Sequence, residues 1–509
     1  MTSVENSVEN DNNLVAQMVH RATQTPGQTA ITLDESAICY DELLAQVQQV
    51  AAHVACISSD SQPRVALLSP NRLESLPVFL GTAMAGGLTL VLSPSWSLTQ
   101  LRQVLAAHRP HWLVGESPLL ALLGADLPSE TLDRPLQTGW PPLPPLTTPQ
   151  KNPQQPFYAC FTSGTTGSPK GVVKTHRSWV AGLAASRIEF QITAADQVLV
   201  PGSLSHSLSL YAAVEALSAG STLHLLAQPS GAAALASLHQ RSASVIVAVP
   251  TLLSRLATEA IAHNQPCPAV RLIISGGAKL TGKVLAQLQR AFPSARIVEY
   301  YGASELGFVS VRHSNMPVDS VGRAFAGVAL SVQREDGNGP ADVGKIGWVC
   351  VRSELICAGY LDQPTTPPAT GFRAVNGWWT AGDRGWLDGQ GYLYLAGREQ
   401  DMMICAGVNV YPAEVEAALL TLPEIAAAAV LGISNDCRGD MIYAVVVWQE
   451  QPLDRRTLRQ RLRPHLPRYA CPRRVYALDQ LPLTSSGKVA RAQLAEQLQR
   501  GLLAAAEVR

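Results

Sequence analysis

The stretch RVALLSPNRLESLPVFLGTAMAGGLTLVLSP, residues 64–94, decides the fold class. Residues 64–70 and 89–94 are short apolar runs that end in proline, a pattern typical of buried strands. Residues 73–87 between them have the length of a helix and close with two glycines. A strand, a helix and a second strand in this order predict a parallel sheet with helices on its faces.

The same alternation extends in both directions along the chain. Upstream, YDELLAQVQQVAAHVA (40–55) has apolar residues at helical spacing, with Asp41 and Glu42 in its first turn. Downstream, predicted helices at 178–190, 209–219, 231–240 and 251–263 alternate with apolar strands at 198–201, 222–226, 245–250 and 271–277. The sequence therefore predicts an α/β protein.

Composition changes along the chain indicate its domains. Residues 127–156 are rich in proline and glutamine and predict an extended surface connection. After residue 320, short strands separated by glycine turns predict a β-rich subdomain. After residue 400, a helix at 411–423 and two apolar strands predict a separate α/β domain. We expect a disordered tail over 1–13, a large N-terminal domain over 14–399 and a small domain over 400–509.

The overall charge excludes several classes of function. The 509 residues carry 39 basic and 39 acidic side chains, so the formal net charge is zero and no chain-wide basic surface exists for nucleic acid. No polybasic tail, signal peptide or apolar run of eighteen residues is present, so no stable membrane anchor is expected. The nine cysteines never occur as CxxC, which favours reduced thiols. We expect a soluble cytoplasmic protein.

The stretch FTSGTTGSPKGVVKTH, residues 161–176, has the composition of an anion-binding loop. Its glycines let backbone N–H groups approach an anion, its hydroxyls add donors, and Lys170 adds charge. A Walker A loop is excluded, because Pro169 precedes Lys170 and Gly171 follows it. The loop residues concerned are Thr162, Ser163, Gly164, Thr165, Thr166 and Gly167.

The segment TSGTTGSPKG (162–171) resembles the phosphate loop of the AMP-forming adenylating enzyme superfamily, which includes acyl- and aryl-CoA synthetases, peptide-synthetase adenylation domains and luciferases. Four more stretches resemble the motifs of this superfamily in its order. They are YYGASELG (300–307), WWTAGDRGWLDGQGYLYLAGR (378–398), AGVNVYPAEVE (406–416) and LPLTSSGKVAR (481–491). The resemblance covers nearly the whole chain and is closest to acyl-CoA synthetases. It implies a large N-terminal domain of α/β sheets with a β-rich subdomain, and a small mobile C-terminal α/β domain.

The resemblance implies that the protein uses ATP and Mg²⁺ to convert a carboxylic acid to an acyl adenylate, and then transfers the acyl group to coenzyme A. The first step brings a carboxylate to a phosphate, so their charges must be offset by a metal and by basic side chains.

The same resemblance implies a role for each matching residue. The residues Thr162, Ser163, Thr165, Thr166 and Lys170 hold the β- and γ-phosphates, and Gly164 and Gly167 shape that loop. Ser304 contacts the α-phosphate, Glu305 coordinates Mg²⁺, Tyr301 packs on adenine beside Gly302, and Asp383 with Arg398 holds the ribose hydroxyls. Lys488 bridges the attacking carboxylate and the α-phosphate. Gln400 is the hinge of the mobile domain, and Ala406 with Gly407 lines the pantetheine tunnel.

Two positions depart from the pattern of the superfamily. Gln400 stands where an Asp or Lys is usual, and since Gln can adopt the same backbone change, we expect altered switching rather than lost function. Ala381 replaces the usual Thr before Gly-Asp, which removes one hydroxyl.

The acid pocket lacks the group that binds an α-ammonium. Amino-acid-activating relatives place an Asp where this chain has Ser207, and no nearby carboxylate in the segment replaces it. A buried ammonium without a partner costs several kcal/mol, so a free α-amino acid is disfavoured. The expected pocket wall is mostly apolar and consists of His206, Leu208, Tyr211, Ile274, Gly276, Gly277, Tyr300, Phe308 and Val309. We expect an apolar acyl or aryl acid.

Three alternatives remain open on the sequence alone. The acceptor could be the phosphopantetheine of an acyl carrier protein instead of coenzyme A. The chain could be a non-catalytic acyl or nucleotide binder, which the intact Lys170, Glu305, Asp383 and Lys488 argue against. A luciferase-like oxygenase ranks last.

Overall fold

The computed structural model describes residues 13–57, 62–124, 128–132, 152–162, 169–362, 371–405, 408–435, 439–449, 451–484, 488–503 and 505–508. The chain forms two compact units, Met1–Leu330 with Val351–Thr366 and Ser331–Cys350 with Pro367–Arg509. The boundary predicted at residue 400 stays a prediction. Asn13, which we assigned to the tail, is buried, and its side chain accepts a hydrogen bond from Val15 N at 2.8 Å. Residues 1–12 and most of the connection at 127–156 lie outside the described residues.

The helices are numbered here in chain order. They are α1 (Leu14–Gln24), α2 (Tyr40–Ile57), α3 (Ser75–Met84), α4 (Leu98–His108), α5 (Ser117–Leu123), α6 (His176–Phe190), α7 (Ser207–Ala219), α8 (Gly231–Arg241), α9 (Pro250–Ala262), α10 (Gly282–Ala291), α11 (Pro412–Leu420), α12 (Arg455–Leu462) and α13 (Arg491–Gln499).

The strands of the first half are β1 (Thr29–Leu33), β2 (Ser36–Cys39), β3 (Arg64–Leu68), β4 (Leu88–Leu92), β5 (Trp112–Gly115), β6 (Ser129–Thr131), β7 (Pro156–Thr162), β8 (Lys170–Thr175), β9 (Gln197–Val200), β10 (Thr222–Leu225), β11 (Val245–Ala248), β12 (Leu272–Ser275), β13 (Arg296–Ala303) and β14 (Gly307–His313). Those that follow are β15 (Arg323–Ala324), β16 (Ala329–Gln333), β17 (Gly347–Arg352), β18 (Gly359–Tyr360), β19 (Arg373–Val375), β20 (Trp378–Thr380), β21 (Asp383–Leu387), β22 (Leu393–Arg398), β23 (Met403–Cys405), β24 (Val408–Val410), β25 (Ile425–Asn435), β26 (Gly439–Trp448), β27 (Arg474–Ala477) and β28 (Ala506–Glu507).

The first unit contains two mostly parallel sheets. One has nine strands in the order β15-β14-β13-β12-β11-β9-β10-β1-β2, and the other has seven in the order β18-β8-β7-β4-β3-β5-β6. All four residues of β11 and all four of β12 are buried, as expected for parallel strands covered on both faces. The opening stretch 64–94 forms β3, α3 and β4, with β3 and β4 parallel, as predicted.

The second unit contains most of the short strands predicted after residue 320, whereas β15 and β18 join the sheets of the first unit. Strands β16, β17 and β19–β22 form one six-stranded sheet, and β23–β28 form another. Helices α11 and α12 contribute buried leucines to the core around the second of these sheets, at Leu419, Leu458 and Leu462. Within the described ranges, none of the helices combines the length and the hydropathy that a membrane span requires.

A buried ion pair joins the antiparallel strands β13 and β14. Glu299 and Arg312 stand opposite each other in the strand register and are each 2% exposed. Arg312 Nε donates to Glu299 Oε2 at 2.6 Å, and the Leu280 backbone N–H donates to Glu299 Oε1 at 2.6 Å. Lys279 Nζ lies 3.5 Å from Glu299 Oε2. These bonds fix the hairpin whose turn carries Ser304 and Glu305.

Replacing Arg312 should destabilise the first unit strongly. Arg312→Met leaves the Glu299 carboxylate buried without its closest cation, so the free energy of unfolding should fall by about 3–5 kcal/mol in urea titrations. Arg334→Met is the matched control, because Arg334 pairs with Asp342 at 3.6 Å on the surface. Its loss should stay below about 1 kcal/mol. Equal losses in the two variants would contradict the assigned role of the buried pair.

Candidate active site

The predicted phosphate loop is flanked by two residues that pair across neighbouring strands. Thr162 at the end of β7 stands opposite Lys170 at the start of β8 in the antiparallel register. The intervening loop residues, Ser163, Gly164, Thr165, Thr166 and Gly167, lie outside the described residues. Side chains alternate along a strand, so Lys170 and Lys174 share one face of β8. Two basic groups therefore follow the loop on that face.

The turn between β13 and β14 presents the predicted metal and α-phosphate residues. Tyr301 and Gly302 lie in the last three residues of β13, and Ser304 and Glu305 form the turn, all of them partly exposed. A Cβ at Gly302 would collide with the backbone carbonyl oxygen of Gly307, so a side chain there would break the hairpin. The structure thus places three predicted ATP-site residues and the predicted metal ligand within one short hairpin end.

Tyr360 connects this turn to the phosphate loop. Its hydroxyl donates to Glu305 Oε1 at 2.9 Å, and Lys170 Nζ lies 5.8 Å from the centroid of its ring. Strand β18 pairs with β8, with Tyr360 opposite Val172, which brings the ring to this position. Tyr360 therefore contacts both the Lys170 ammonium group and the Glu305 carboxylate, which belong to distant segments of the chain. Tyr360 was not predictable from the sequence, because its role depends on this strand pairing.

Glu305 fits the requirements of a magnesium ligand. Mg²⁺ is usually held by one or two carboxylates together with substrate phosphates rather than by an all-protein cage. Among the described residues no cluster of three or more His, Cys, Asp or Glu side chains could hold a metal. Glu305 would thus hold the ion together with phosphate oxygens, with its second oxygen oriented by Tyr360.

Lys174 is a further charged residue that the sequence analysis missed. Its Nζ donates to the Leu355 carbonyl oxygen at 2.9 Å, and its charge interacts with Glu305, Cys160 and Cys357. Burial lowers the pKa of Lys174, which these neighbours partly oppose. The two-residue alternation from Lys170 through Val172 was the available signal. Lys174 therefore interacts electrostatically with the carboxylate of Glu305.

Neutral polar side chains connect the Ser304 turn to the start of α7. The Cys160 thiol donates to the Val172 carbonyl oxygen at 3.7 Å, and Ser207 and Ser304 lower its pKa against the effect of burial. The Tyr158 hydroxyl lies 3.3 Å from Ser207 Oγ. Burial raises the pKa of Cys160, so the thiol stays neutral. Ser207, where amino-acid-activating relatives carry an Asp, therefore belongs to an uncharged network.

Aromatic rings form the predicted wall of the acid pocket. The Phe308 ring is edge-on to Tyr211 at 5.1 Å and to Tyr300 at 4.8 Å. The ring of Tyr300 covers Gly276, where a Cβ would lie 2.5 Å from Tyr300 Cζ. Among the other predicted wall residues, His206 is the N-cap of α7, and Gly277 has a φ of 85°. The structure thus brings Tyr211, Gly276, Tyr300 and Phe308 together.

A buried carboxyl group lies near this wall but remote from Ser207. It belongs to Glu215, two helical turns further along α7, so the expectation that no nearby carboxylate replaces the Asp at Ser207 stays a prediction. Glu215 interacts electrostatically with Tyr211 and Tyr300, and Ser186 lowers its pKa against the effect of burial. The spacing of four residues between Tyr211 and Glu215, which puts both on one helical face, was the available signal.

The second unit contains the predicted ribose residues. Asp383 on β21 and Arg398 on β22 are register partners, and Arg398 Nε lies 2.9 Å from Asp383 Oδ1. Asp383 is 6% exposed, whereas half of the Arg398 side chain is exposed. The Asp383 carboxylate is therefore buried, and the Arg398 side chain that binds it is half exposed.

The remaining predicted residues of the second unit are only partly described. Gln400 lies in a short 3-10 turn, Glu399–Asp401, and its side chain is outside the described part, as are Ala406 and Gly407. Lys488 is exposed, its backbone N–H donates to Thr484 Oγ1 at 3.2 Å, and its carbonyl oxygen accepts from the Thr484 N–H at 2.6 Å. These bonds fix the backbone at Lys488.

Comparison with known families gives two matches in chain order. The family of AMP-binding enzymes matches residues 18–361, and the AMP-binding enzyme C-terminal domain matches residues 414–488. The superfamily inferred from the sequence motifs is thereby confirmed.

Three similar proteins cover nearly the whole chain. The uncharacterized acyl-CoA ligase YhfT of Bacillus subtilis (strain 168) is 33% identical over 499 residues, which are 94% of this chain and 97% of the relative. An indoleacetate–CoA ligase of Aromatoleum aromaticum (strain DSM 19018 / LMG 30748 / EbN1) is 30% identical over 490 residues, 91% and 94% of the two chains. The structure of O-succinylbenzoate coenzyme A synthetase of Bacillus subtilis, in complex with ATP and magnesium ion, superposes with a TM-score of 0.82 at 25% identity, covering 94% of this chain and 98% of that one. The predicted fold class is confirmed.

Filling the space at Gly276 should strain the aromatic wall. Gly276→Ala pushes a Cβ into the ring of Tyr300, so the free energy of unfolding should fall by about 1–3 kcal/mol. Gly282→Ala is the matched control, since nothing lies within 4 Å of a Cβ there. It should be neutral or stabilising by at most about 1 kcal/mol. The loss at Gly276 should shrink in a Tyr300→Val background, and an unchanged loss would show that another contact causes it.

Proposed function

The chain belongs to the AMP-binding enzyme family, and from that premise we propose that it activates a carboxylic acid with ATP and transfers the acyl group to coenzyme A. One observation carries the proposal. Lys170 of the phosphate-loop motif and Glu305 of the predicted metal site both contact Tyr360, and Lys174 interacts electrostatically with the Glu305 carboxylate. This is the charge arrangement that binding a polyphosphate with its metal requires.

In the first step, an oxygen of the acid carboxylate attacks the α-phosphorus of ATP, and the bond to the leaving pyrophosphate breaks. Lys170 offsets charge on the β- and γ-phosphates, and the Ser304 hydroxyl donates to an α-phosphate oxygen. Glu305 holds the metal, which neutralises phosphate charge when bound. Lys488 approaches the attacking carboxylate and the α-phosphate, where its charge offsets the repulsion between two anions.

In the second step, the thiol sulfur of coenzyme A attacks the acyl carbonyl carbon, and the bond to AMP breaks. The buried carboxylate of Asp383 accepts hydrogen bonds from the ribose hydroxyls, and the Arg398 guanidinium holds that carboxylate in place. A fixed nucleotide keeps the adenylate positioned through both steps.

Two observations support an apolar acyl or aryl acid of modest size as the substrate. Tyr211, Tyr300 and Phe308 form an aromatic wall, and Ser207 belongs to a neutral network rather than to an ammonium site. The relatives' names, acyl-CoA ligase and indoleacetate–CoA ligase, agree with such an acid and with coenzyme A as acceptor.

A panel of aliphatic and aromatic acids tests the proposal. Pyrophosphate release is measured with ATP and Mg²⁺, and thioester formation is measured with coenzyme A or with a phosphopantetheinylated carrier protein. We expect release with apolar acids and thioester with coenzyme A. If no acid supports pyrophosphate release, the protein is not an adenylating enzyme, and thioester formed only on the carrier would contradict the proposed acceptor.

Glu305→Gln should impair adenylation while leaving the fold intact. The substitution keeps the shape and the hydrogen bond to Tyr360 but removes the ligand charge. The loss of several kcal/mol of charge stabilisation corresponds to at least about a 100-fold fall in the rate of the first step. The Mg²⁺ concentration for half-maximal rate should rise. Glu354→Gln, which alters an exposed pair with Arg177, is the control and should titrate like the wild type. An unchanged Mg²⁺ dependence in Glu305→Gln would place the metal elsewhere.

Lys488→Ala should separate the two steps. The charge of Lys488 is needed only while the carboxylate approaches the α-phosphate, so the first step should slow by about 10²–10³-fold, as when one transition-state donor is lost. Given preformed acyl adenylate and coenzyme A, the variant should make thioester at nearly the wild-type rate. Lys345→Ala, at another exposed lysine, is the control and should leave both rates unchanged. Equal losses in both steps would contradict the assigned role.

A further inference from the structure

Glu215 is buried beside the aromatic wall of the candidate acid pocket. It lies on α7 four residues after Tyr211, so both side chains leave the same face of the helix. Glu215 is 6% exposed. Glutamate is almost never buried to this extent unless it has a partner, so its surroundings need an explanation.

Ser186 on α6 interacts with both Glu215 and Tyr211. Its hydroxyl donates to the Leu183 carbonyl oxygen at 3.2 Å, lies 3.0 Å from the Tyr211 hydroxyl oxygen, and lowers the pKa of Glu215 against the effect of burial. A carboxylate can accept about four hydrogen bonds, and an interaction with Ser186 uses at most one of these positions. The Glu215 group can therefore accept hydrogen bonds from further donors.

Stability alone does not account for a glutamate at this place. Burial raises the pKa of Glu215 to about 7, although Ser186 and the charge of Arg187 act in the opposite direction. This rise reflects the cost of burying a charge. A leucine of similar size would avoid that cost and would pack against the same rings. The Glu215 carboxyl group instead interacts electrostatically with Tyr211 and Tyr300.

Helix α7 sets the distance between the two ends of the pocket. Ser207, at its first residue, interacts with the Cys160 thiol, which also interacts with Ser304. Glu215 follows eight residues later, and at 1.5 Å per residue this spacing is about 12 Å along the helix. The Ser304 turn therefore marks the end where the acid carboxylate reacts, and Glu215 marks the opposite end, with Tyr211 between them.

We propose that Glu215 selects the acid substrate by accepting a hydrogen bond from a hydroxyl or amino group at the end remote from the reacting carboxylate. The inference rests on the proposed function, since it names the substrate class of that same site. The substrate is then an acid with an aromatic body, spanning about 12 Å and carrying a donor at its far end. The rings of Tyr211 and Phe308 pack against the body, and the donor completes the hydrogen bonding of Glu215.

Matched phenylalkanoic acids test the selection. Three series carry hydrogen, hydroxyl or amino at the para position, each over a range of chain lengths, and kcat/KM for pyrophosphate release is measured for every acid. The wild type should prefer a donor-bearing acid about 10- to 100-fold over its unsubstituted partner, the effect of one hydrogen bond to a charged group. The difference should lie mainly in KM, because the far end does not change during the reaction. Comparing the hydroxyl and amino series identifies the donor.

Two variants at Glu215 distinguish selection from a structural role. Glu215→Leu removes the acceptor, so the ratio between the paired acids should fall to near one. Glu215→Gln keeps an acceptor oxygen and the shape, so part of the preference should remain. Each ratio compares two acids on the same variant, so a loss of folded protein cancels. Glu189→Gln on α6, where the carboxylate accepts from the Ala326 N–H at 3.1 Å, is the control and should keep the wild-type ratio.

The results separate failure of this inference from failure of the proposed function. Pyrophosphate release that is equal for all three series, or a preference that persists in Glu215→Leu, overturns the selection by Glu215 and leaves the adenylating activity standing. Release with none of these acids or of the wider panel overturns the adenylating activity itself, and the selection with it.

Discussion

The buried pair of Glu299 and Arg312 is the interaction on which the candidate active site depends. Each residue is 2% exposed, so water solvates neither charge and the two must meet each other. Glu299 also accepts the Leu280 N–H, which ties β13 to the segment before α10. The turn with Ser304 and Glu305 continues from the same two strands. Its position is therefore set by a pair that is costly to break, together with contacts of the turn such as the hydrogen bond from Tyr360 to Glu305.

Motif order and apolar periodicity were enough to predict the α/β fold and the family, because both are local properties of the chain. Strand β3, helix α3 and strand β4 follow directly from residues 64–94. The roles of Tyr360 and Lys174 were not predictable in this way. Tyr360 reaches Glu305 only because β18 pairs with β8, a contact between distant segments that no local pattern encodes. Glu215 was missed for a different reason, since its helical spacing from Tyr211 was visible but its burial was not.

The chain has few charged residues, and several of them lie in the interior. Charged residues make up 15% of the chain, yet Glu215, Glu299, Arg312 and Asp383 are all buried. Three of them have a partner that accounts for the burial: Glu299 and Arg312 bond to each other, and Asp383 bonds to Arg398. Glu215 differs, because burial raises its pKa even though Ser186 and the charge of Arg187 act in the opposite direction. A carboxyl group in that state is sensitive to any donor that approaches it.

The two ends of α7 differ in charge: Ser207 at its start is neutral, and Glu215 near its end carries a carboxyl group. A carboxylate in place of Ser207 would repel the reacting carboxylate of the acid. It would also lie beside Cys160, which interacts with Ser304. The hydroxyl of Ser207 adds no charge there. At Glu215, about 12 Å further along, a carboxylate is remote enough to leave the reacting group unaffected. The aromatic rings of Tyr211 and Phe308 between the two ends offer no charge to an intervening body. Under the proposed function, an acid is therefore oriented from both ends, because its own carboxylate is disfavoured beside Glu215 and Lys488 offsets its charge at the phosphate end.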